Sequence, residues 1–237
     1  MLSKNELKQI RQLASKKYRS KTGLFVAEGI KVVREFCDSG WKPQAVYSVN
    51  DLDFVSYTKV DQASLDKITH FSTASSVLAI FKLPEQKEHS SDEFSIALDS
   101  ISDPGNLGTI IRLCDWFGIK NIICSHDTVD CFNPKVVQST MGSIARVKCY
   151  YCDLEAFLKN HAAPVYGACL EGTSFYTQDF DAKGVLVMGS ESHGISPEIK
   201  KLLSEKITIP AASDGPHAES LNVAMATAII LGEIYRP

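Results

Sequence analysis

The feature that most restricts this fold is an alternation in the second half of the chain. Short apolar runs, "SIALDSI", "NIICS", "RVKCYY", "PVYGACL", "GVLVMGS" and "KITIP", are interleaved with helical segments at 106–118, "PKVVQSTMG", "LEAFLKN", "SPEIKKLLS" and 219–236. Runs this short and this uniformly apolar suit strands buried on both faces, with the intervening helices as cover. The expected fold class is therefore α/β with a mostly parallel sheet. Ligands in such folds gather beyond the carboxyl ends of the strands. That singles out three loops: "DPGNLG", "MGSESHG" and "PAASDGPHAESLN".

The first half reads differently. Ser3 and Glu6 form an S-x-x-E capping box, which starts a helix running to about Ser15. "KKYRSKTG" then reads as a basic loop closed by Gly23. A strand "FVAEG", a helix "IKVVREFCDSG" ending at Gly40, a strand "QAVYSV", a short helix "ASLDKIT" and a strand "VLAIFKLP" follow. Residues 85–93, "EQKEHSSDE", contain no apolar side chain and read as a linker. The expected organisation is a small domain over 1–84 and a larger α/β domain over 94–237.

Bulk charge is uninformative, because the net charge is only -3. Its distribution is not. Residues 1–34 hold nine basic side chains against Glu6 and Glu28, whereas the remainder holds sixteen basic against twenty-six acidic. A basic arm on an acidic body is either a solvated helix surface or a local footprint for a polyanion, with Lys16, Lys17, Arg19 and Lys21 as its candidate contacts. No apolar run is long enough to span a membrane, and "MLSKNELKQI" has no signal-peptide character. Seven irregularly spaced cysteines then suggest reduced thiols and a cytoplasmic setting. Cys149 and Cys152 form one CxxC, but they lie in a segment that alternates like a strand, and the four ligands of a zinc site are not in view. No metal is expected.

Each of the three loops carries polar residues with two readings. Asn106 is a good helix cap after the Asp103-Pro104-Gly105 turn. Arg112, on the same helix, points away from the apolar face. It is either a solvated charge paired with Asp115 or a functional cation, and Gly108 one turn earlier leaves room for something to approach. In "VLVMGSESHGIS" an apolar strand runs into Gly189, Glu191 and Gly194. It lacks the glycine spacing of a phosphate loop. Ser192, Asp214 and His217 follow the order of a hydrolase triad, but too little chain remains after Ser192 for the usual hydrolase sheet. In the third loop Ser220 can cap the last helix, whereas Asn222 one step inside it calls for a partner. That helix is apolar nearly all round and reads as buried, in the core or at a subunit interface.

In this order, "DPGNLGTIIRLCDWFG", "VLVMGSESHGIS" and "ITIPAASDGPHAESLNVAMATAI" resemble the three motifs of the SpoU (TrmH-like) RNA ribose 2′-O-methyltransferases of the SPOUT superfamily. The resemblance covers residues 95–236. The segment "KKYRSKTGLFVAEGIKVVRE" more loosely resembles the small substrate-binding domain, similar to a ribosomal-protein fold, that precedes many of these enzymes. The resemblance implies a C-terminal trefoil knot, S-adenosylmethionine as cofactor, and an obligate homodimer built on the knot and the last helix. It also implies methyl transfer to a ribose 2′-hydroxyl of RNA, ribosomal RNA before tRNA. The alternative is an RNA-binding protein of the same fold without activity. Carried over residue by residue, Asn106, Arg112, Glu191, Ser220 and Asn222 form the catalytic set. Ala168, Gly189, Ile209, Pro210, Leu221 and Asn222 line the cofactor. The third loop departs from the family in its length and in Ala211, where methionine is frequent.

Overall fold

The computed structural model describes residues 2–85, 93–212 and 218–236. Most of the expected linker, from 86 to 92, and Asp214 and His217 of the third loop lie outside the described residues. The chain divides into two compact units. The first comprises Met1–Gln86 with Asp130–Arg146, and the second Lys87–Val129 with Val147–Pro237. A single boundary at 85–93 therefore does not describe the packing, because residues 130–146 belong with the first unit.

In the first unit, α1 (Lys4–Gln12) begins at the expected capping box: Ser3 Oγ accepts from Glu6 N at 3.2 Å and Glu6 Oε2 accepts from Ser3 N at 2.7 Å. The expected basic loop is instead a second helix, α2 (Lys16–Thr22). Gly23 stops it in the left-handed conformation, at φ +67°. There follow β1 (Leu24–Glu28), α3 (Ile30–Asp38), β2 (Ala45–Ser48), β3 (Thr58–Lys59), α4 (Gln62–Asp66) and β4 (Val77–Lys82). Their four-stranded sheet has the order β1-β4-β2-β3, with β4 antiparallel to both β1 and β2. One face packs Ile10 and Leu13 against Val26, Leu65 and Leu78. Phe25 sits among Phe36, Trp41, Phe81 and Phe132.

Phe132 explains why 130–146 joins this unit, and Arg19 adds a second reason. Arg19 is only 2% exposed. Its guanidinium donates to the carbonyls of Leu13 and Ala14, each at 2.8 Å, and forms an ion pair with Asp130. An unpaired buried charge would be very costly, so this arginine is committed to structure. Its assignment as an RNA contact is thereby corrected. Lys16, Lys17 and Lys21, on the other faces of α2, remain exposed. Once α2 is a helix the reason is plain, because one turn of helix cannot present every side chain to solvent.

The second unit is the expected α/β layer. Its strands are β5 (Ser95–Asp99), β6 (Asn121–Ser125), β7 (Lys148–Cys152), β8 (Val165–Ser174), β9 (Val185–Gly189) and β10 (Glu205–Thr208). All pair in parallel, in the order β10-β8-β9-β5-β6-β7. Every residue of β5 is buried, as a strand covered on both faces requires. Ala97, Ile123, Val185 and Val187 from the sheet pack with Leu154, Leu158, Ile195 and Ile199. The helices are α5 (Pro104–Trp116), α7 (Leu154–Lys159), α8 (Pro197–Lys200) and α9 (Val223–Ile234); α6 (Pro134–Ser139) belongs to the first unit. No helix among the described residues is long and apolar enough to cross a membrane.

Strand order reverses about β5: β6 and β7 lie on one side, β9, β8 and β10 on the other. Asp99 and Gly189 are register partners at the carboxyl ends of β5 and β9, at that switch point. Strand β8 extends past its expected end. Its pairing with β10 jumps from Gly167 to Thr173, which leaves Ala168 at the break. The last helix is not wholly buried. Val223, Ala224, Thr227, Ile230 and Leu231 face the core, while Met225 is 56% and Ile229 40% exposed.

Candidate functional site

Three residues singled out in three separate loops meet at one point. Asn222 Nδ2 donates to Asn106 Oδ1 at 2.9 Å and to Glu191 Oε1 at 2.6 Å. The other end of the same amide, Oδ1, accepts from Ala224 N at 3.0 Å and Met225 N at 3.2 Å. Asn222, not Ser220, is thus the N-cap of α9. A helix N-terminus offers only donors, so the cap fixes which way the amide faces. The nitrogen is left to gather the other two loops. This single side chain satisfies the helix start and ties the first and second motifs together.

Asn106 is free for this because it is not the cap of α5. Asp103 is: its Oδ1 accepts from Asn106 N at 2.8 Å, with Pro104 in the first turn. Asn106 therefore lies inside the helix, half-buried, with its side chain turned to Asn222. Gly108 is buried rather than open to approach, so the expected free space over it is not there. Arg112 is exposed, and its guanidinium makes no hydrogen bond or ion pair among the described residues. Six residues separate it from Asn106 on α5, which places it about 9 Å along and about 120° around the helix. The two do not share a face. Ser220 is exposed and makes no hydrogen bond among the described residues.

The second loop is held in shape by its own backbone and by one buried carboxylate. Ser190 and Gly194 exchange hydrogen bonds at 3.1 and 2.8 Å, with Gly194 at φ +66°. A Cβ on Gly189 would lie 2.1 Å from the carbonyl carbon of Gly194, so only glycine lets the loop fold back this closely. Asp99, 5% exposed, accepts from Ser196 N at 2.6 Å and so anchors the far end of the loop. Sequence reasoning did not single out Asp99. The signal was available: a carboxylate ending an otherwise apolar strand at the carboxyl edge of the sheet.

The expected cofactor residues cluster by topology. Gly189 ends β9 and Ile209 and Pro210 follow β10, at the carboxyl edge of the sheet, while Ala168 lies inside β8, at its register break and just past its last pairing with β9. Leu221 precedes the cap of α9 and is 49% exposed, while Ile209 is half-buried. The edge therefore offers apolar surface and strand-end backbone, with the polar cluster of Asn106, Glu191 and Asn222 built from the adjoining loops. Glu191 Oε2 and Asn106 Nδ2 make no hydrogen bond among the described residues, so an acceptor and a donor remain for a ligand. Among the described residues no group of three His, Cys, Asp or Glu is placed to hold a metal ion.

The chain matches the SpoU rRNA Methylase family over residues 93–232 and the MRM3-like substrate binding domain over residues 4–79. It is 28% identical to the 23S rRNA (guanosine(2553)-2'-O)-methyltransferase RlmP of Bacillus subtilis, across 97% of this chain and 96% of that one. Among solved structures it resembles a putative RNA methyltransferase of the TrmH family from Porphyromonas gingivalis, with TM-score 0.87 and 35% identity over 100% of this chain and 99% of the other. It also resembles the AdoMet-bound rRNA methyltransferase from Sinorhizobium meliloti, with TM-score 0.85 and 31% identity over 100% and 97%.

Proposed function

Because the chain belongs to the SpoU rRNA methylase family, we propose that it transfers a methyl group from S-adenosylmethionine to a ribose 2′-hydroxyl of RNA, with ribosomal RNA as the substrate class. The observation that carries this reading is the convergence of Asn106, Glu191 and Asn222 on one hydrogen-bonded point from loops up to 116 residues apart. The residues at the strand ends fit the cofactor. Gly189 has no room for a side chain, Leu221 and Ile209 offer apolar surface, and Ala168 and Pro210 complete the edge. When bound, S-adenosylmethionine supplies an electrophilic methyl group on a sulfonium.

The chain's own residues then have two tasks. They must hold the ribose hydroxyl in line with that methyl, and they must stabilise the negative charge that develops as its proton leaves. Glu191 and Asn106, each with one unused polar atom, orient the sugar. Arg112 supplies the fixed positive charge. A guanidinium holds its proton firmly and does not serve readily as a base, so its role is to clamp a phosphate and stabilise the forming alkoxide. Ser220 adds a hydroxyl at the rim.

Arg112 and Asn106 lie on different faces of α5, so a second copy of the chain completes the site. The exposed pair Met225 and Ile229, spaced i and i+4 on a helix that is apolar nearly all round, supports a homodimer through α9. The same reading carries a trefoil knot in the C-terminal segment, a cytoplasmic location, and exposed Lys16, Lys17 and Lys21 along the RNA path.

The test is Arg112→Ala, assayed by tritiated methyl incorporation into ribosomal RNA and by calorimetry with S-adenosylmethionine. Incorporation falls by at least about 100-fold, while cofactor affinity is unchanged. Retained turnover would remove Arg112 from the site, and absent cofactor binding in the parent chain would favour an RNA-binding protein without activity.

A further inference from the structure

The first unit carries a second structured surface that the catalytic reading does not use. The loop between β2 and β3 surrounds an open hollow of about 630 Å³ lined by Leu52, Asp53, Phe54, Val55, Ser56 and Tyr57. Its shape is set by charged side chains acting as struts. Arg34, projecting from α3, places its guanidinium carbon 4.2 Å from the centre of the Phe54 ring. The same guanidinium bonds Asp53 at 3.0 Å. At the other end Asp51 Oδ1 accepts from Tyr57 Oη at 2.8 Å and from Lys59 Nζ at 2.7 Å. Those two partners hold the Asp51 carboxyl below the usual carboxylate range.

A solvent-exposed loop gains little stability from such pairs. What they do achieve is a fixed stack of a planar cation on an aromatic ring at the protein surface, with the Arg34 side chain still 45% exposed. Arginine planes and aromatic faces are the surfaces on which unpaired nucleobases stack. Asp53 and Asp51 have side chains 83% and 87% exposed beside the stack. Carboxylates accept hydrogen bonds from the amino groups on base edges. Lys31, exposed and without an ion pair among the described residues, lies one turn before Arg34 on the same side of α3.

We propose that Arg34, Phe54 and the 51–59 loop form a stacking site for an unpaired base of the RNA substrate, with Lys31 on the adjoining phosphate. The inference rests on the reading of the chain as an RNA-modifying enzyme, and it adds a recognition mode. The cations of the loop are offset by Asp51 and Asp53, so binding here depends on the base and little on net charge. The exposed lysines of α2 are the opposite case, with charge and no aromatic platform.

The experiment uses the full-length chain and two fluorescently labelled RNAs, a single-stranded octanucleotide of mixed sequence and a sixteen-base-pair duplex, with anisotropy titrations at several salt concentrations. Phe54→Ala and Phe54→Leu weaken octanucleotide binding about tenfold, while Phe54→Trp retains or improves it. The leucine variant keeps the apolar volume but has no π face, which separates stacking from packing. Duplex affinity and the slope of affinity against salt stay at the parent values, because no charge changes. Equal octanucleotide affinity in all four chains, or an equal loss for octanucleotide and duplex, overturns the proposal. Calorimetry with S-adenosylmethionine on the same chains keeps the two readings apart. A parent chain that binds the octanucleotide through Phe54 but not the cofactor overturns the enzyme reading alone.

Discussion

The two units treat their polar residues in opposite ways. In the second unit Asn106, Glu191 and Asn222 come from loops far apart in sequence and end within hydrogen-bonding distance of one another. In the first, four basic residues lie within six positions of one another and yet separate: Arg19 turns into the interior, while Lys16, Lys17 and Lys21 face water. Distance along the chain was a poor guide in both cases. Loops at the carboxyl edge of a parallel sheet converge because every strand ends on the same side. Neighbours on a helix diverge because successive side chains are about 100° apart.

The sharpest way to break this comparison is to treat the four basic residues alike. Arg19→Met leaves Asp130 without its cation and the Leu13 and Ala14 carbonyls, the first of them buried, without this donor, so it lowers unfolding free energy by about 3 kcal/mol, measured by denaturant titration. The triple reversal of Lys16, Lys17 and Lys21 to Glu leaves the unfolding free energy within about 0.5 kcal/mol of the parent. It weakens RNA binding and flattens its salt dependence. Equal destabilisation by both would mean that the surface lysines are structural too.

On the other side, Asn222→Asp preserves the helix cap, since a carboxylate accepts from Ala224 N and Met225 N equally well. It removes both donated bonds and sets two carboxylates together against Glu191. Methyl transfer falls about 100-fold, or about 3 kcal/mol of barrier, with little change in melting temperature. Asn222→Ala loses the cap as well and costs a further ~1 kcal/mol of stability. A smaller effect is expected at Asp99, which acts only through the loop it anchors. Asp99→Ala lowers kcat about tenfold with substrate KM little changed, and Asp99→Asn, which still accepts from Ser196 N, restores most of it. A parallel loss of kcat and folding stability that Asn does not rescue would reduce Asp99 to a packing residue.

The smallest expected effect is on pH. Burial lowers the His70 pKa, and Arg19 and Arg11 lower it further against the opposing pull of the Ile10 carbonyl. The folded chain therefore keeps this ring neutral while the unfolded chain takes up a proton near pH 6.5. The contribution to stability is fully present above that pH and declines as pH falls below it toward the depressed folded value. Glu28, whose backbone neighbour at 2.8 Å is His70 N, runs the other way: burial raises its pKa, so its contribution is greatest at low pH and declines as pH rises through the folded value. Melting curves of His70→Gln against the parent between pH 5 and 8 isolate the first slope. Parallel curves would show that His70 does not titrate on unfolding.

Much of the second unit was legible in the sequence. Each apolar run became a strand of the parallel sheet, wholly buried at the centre in β5 and partly exposed at the edges in β7 and β10, and the three loops followed from where such strands end. Some local chemistry was legible too: the capping box at Ser3 and the turn at Gly40 act within a few residues of themselves. The caps of α5 and α9 were misplaced, each for the same reason. Asp103 and Asn106 are both good caps by type, as are Ser220 and Asn222. Which one caps depends on where the backbone turns, and packing decides that.

What the sequence determined by itself, then, is what rests on residue type and local period: the α/β class, the loops that meet at the carboxyl edge of the sheet, and the family to which those loops belong. Tertiary structure alone decided what depends on partners distant along the chain. It assigned residues 130–146 to the first unit through Phe132 and Asp130, turned Arg19 from a surface charge into a buried strut, and gave Asn222 its dual role. A side chain's charge or hydrogen-bonding capacity is a local property, but whether water or protein satisfies it is settled only when the rest of the chain has arrived.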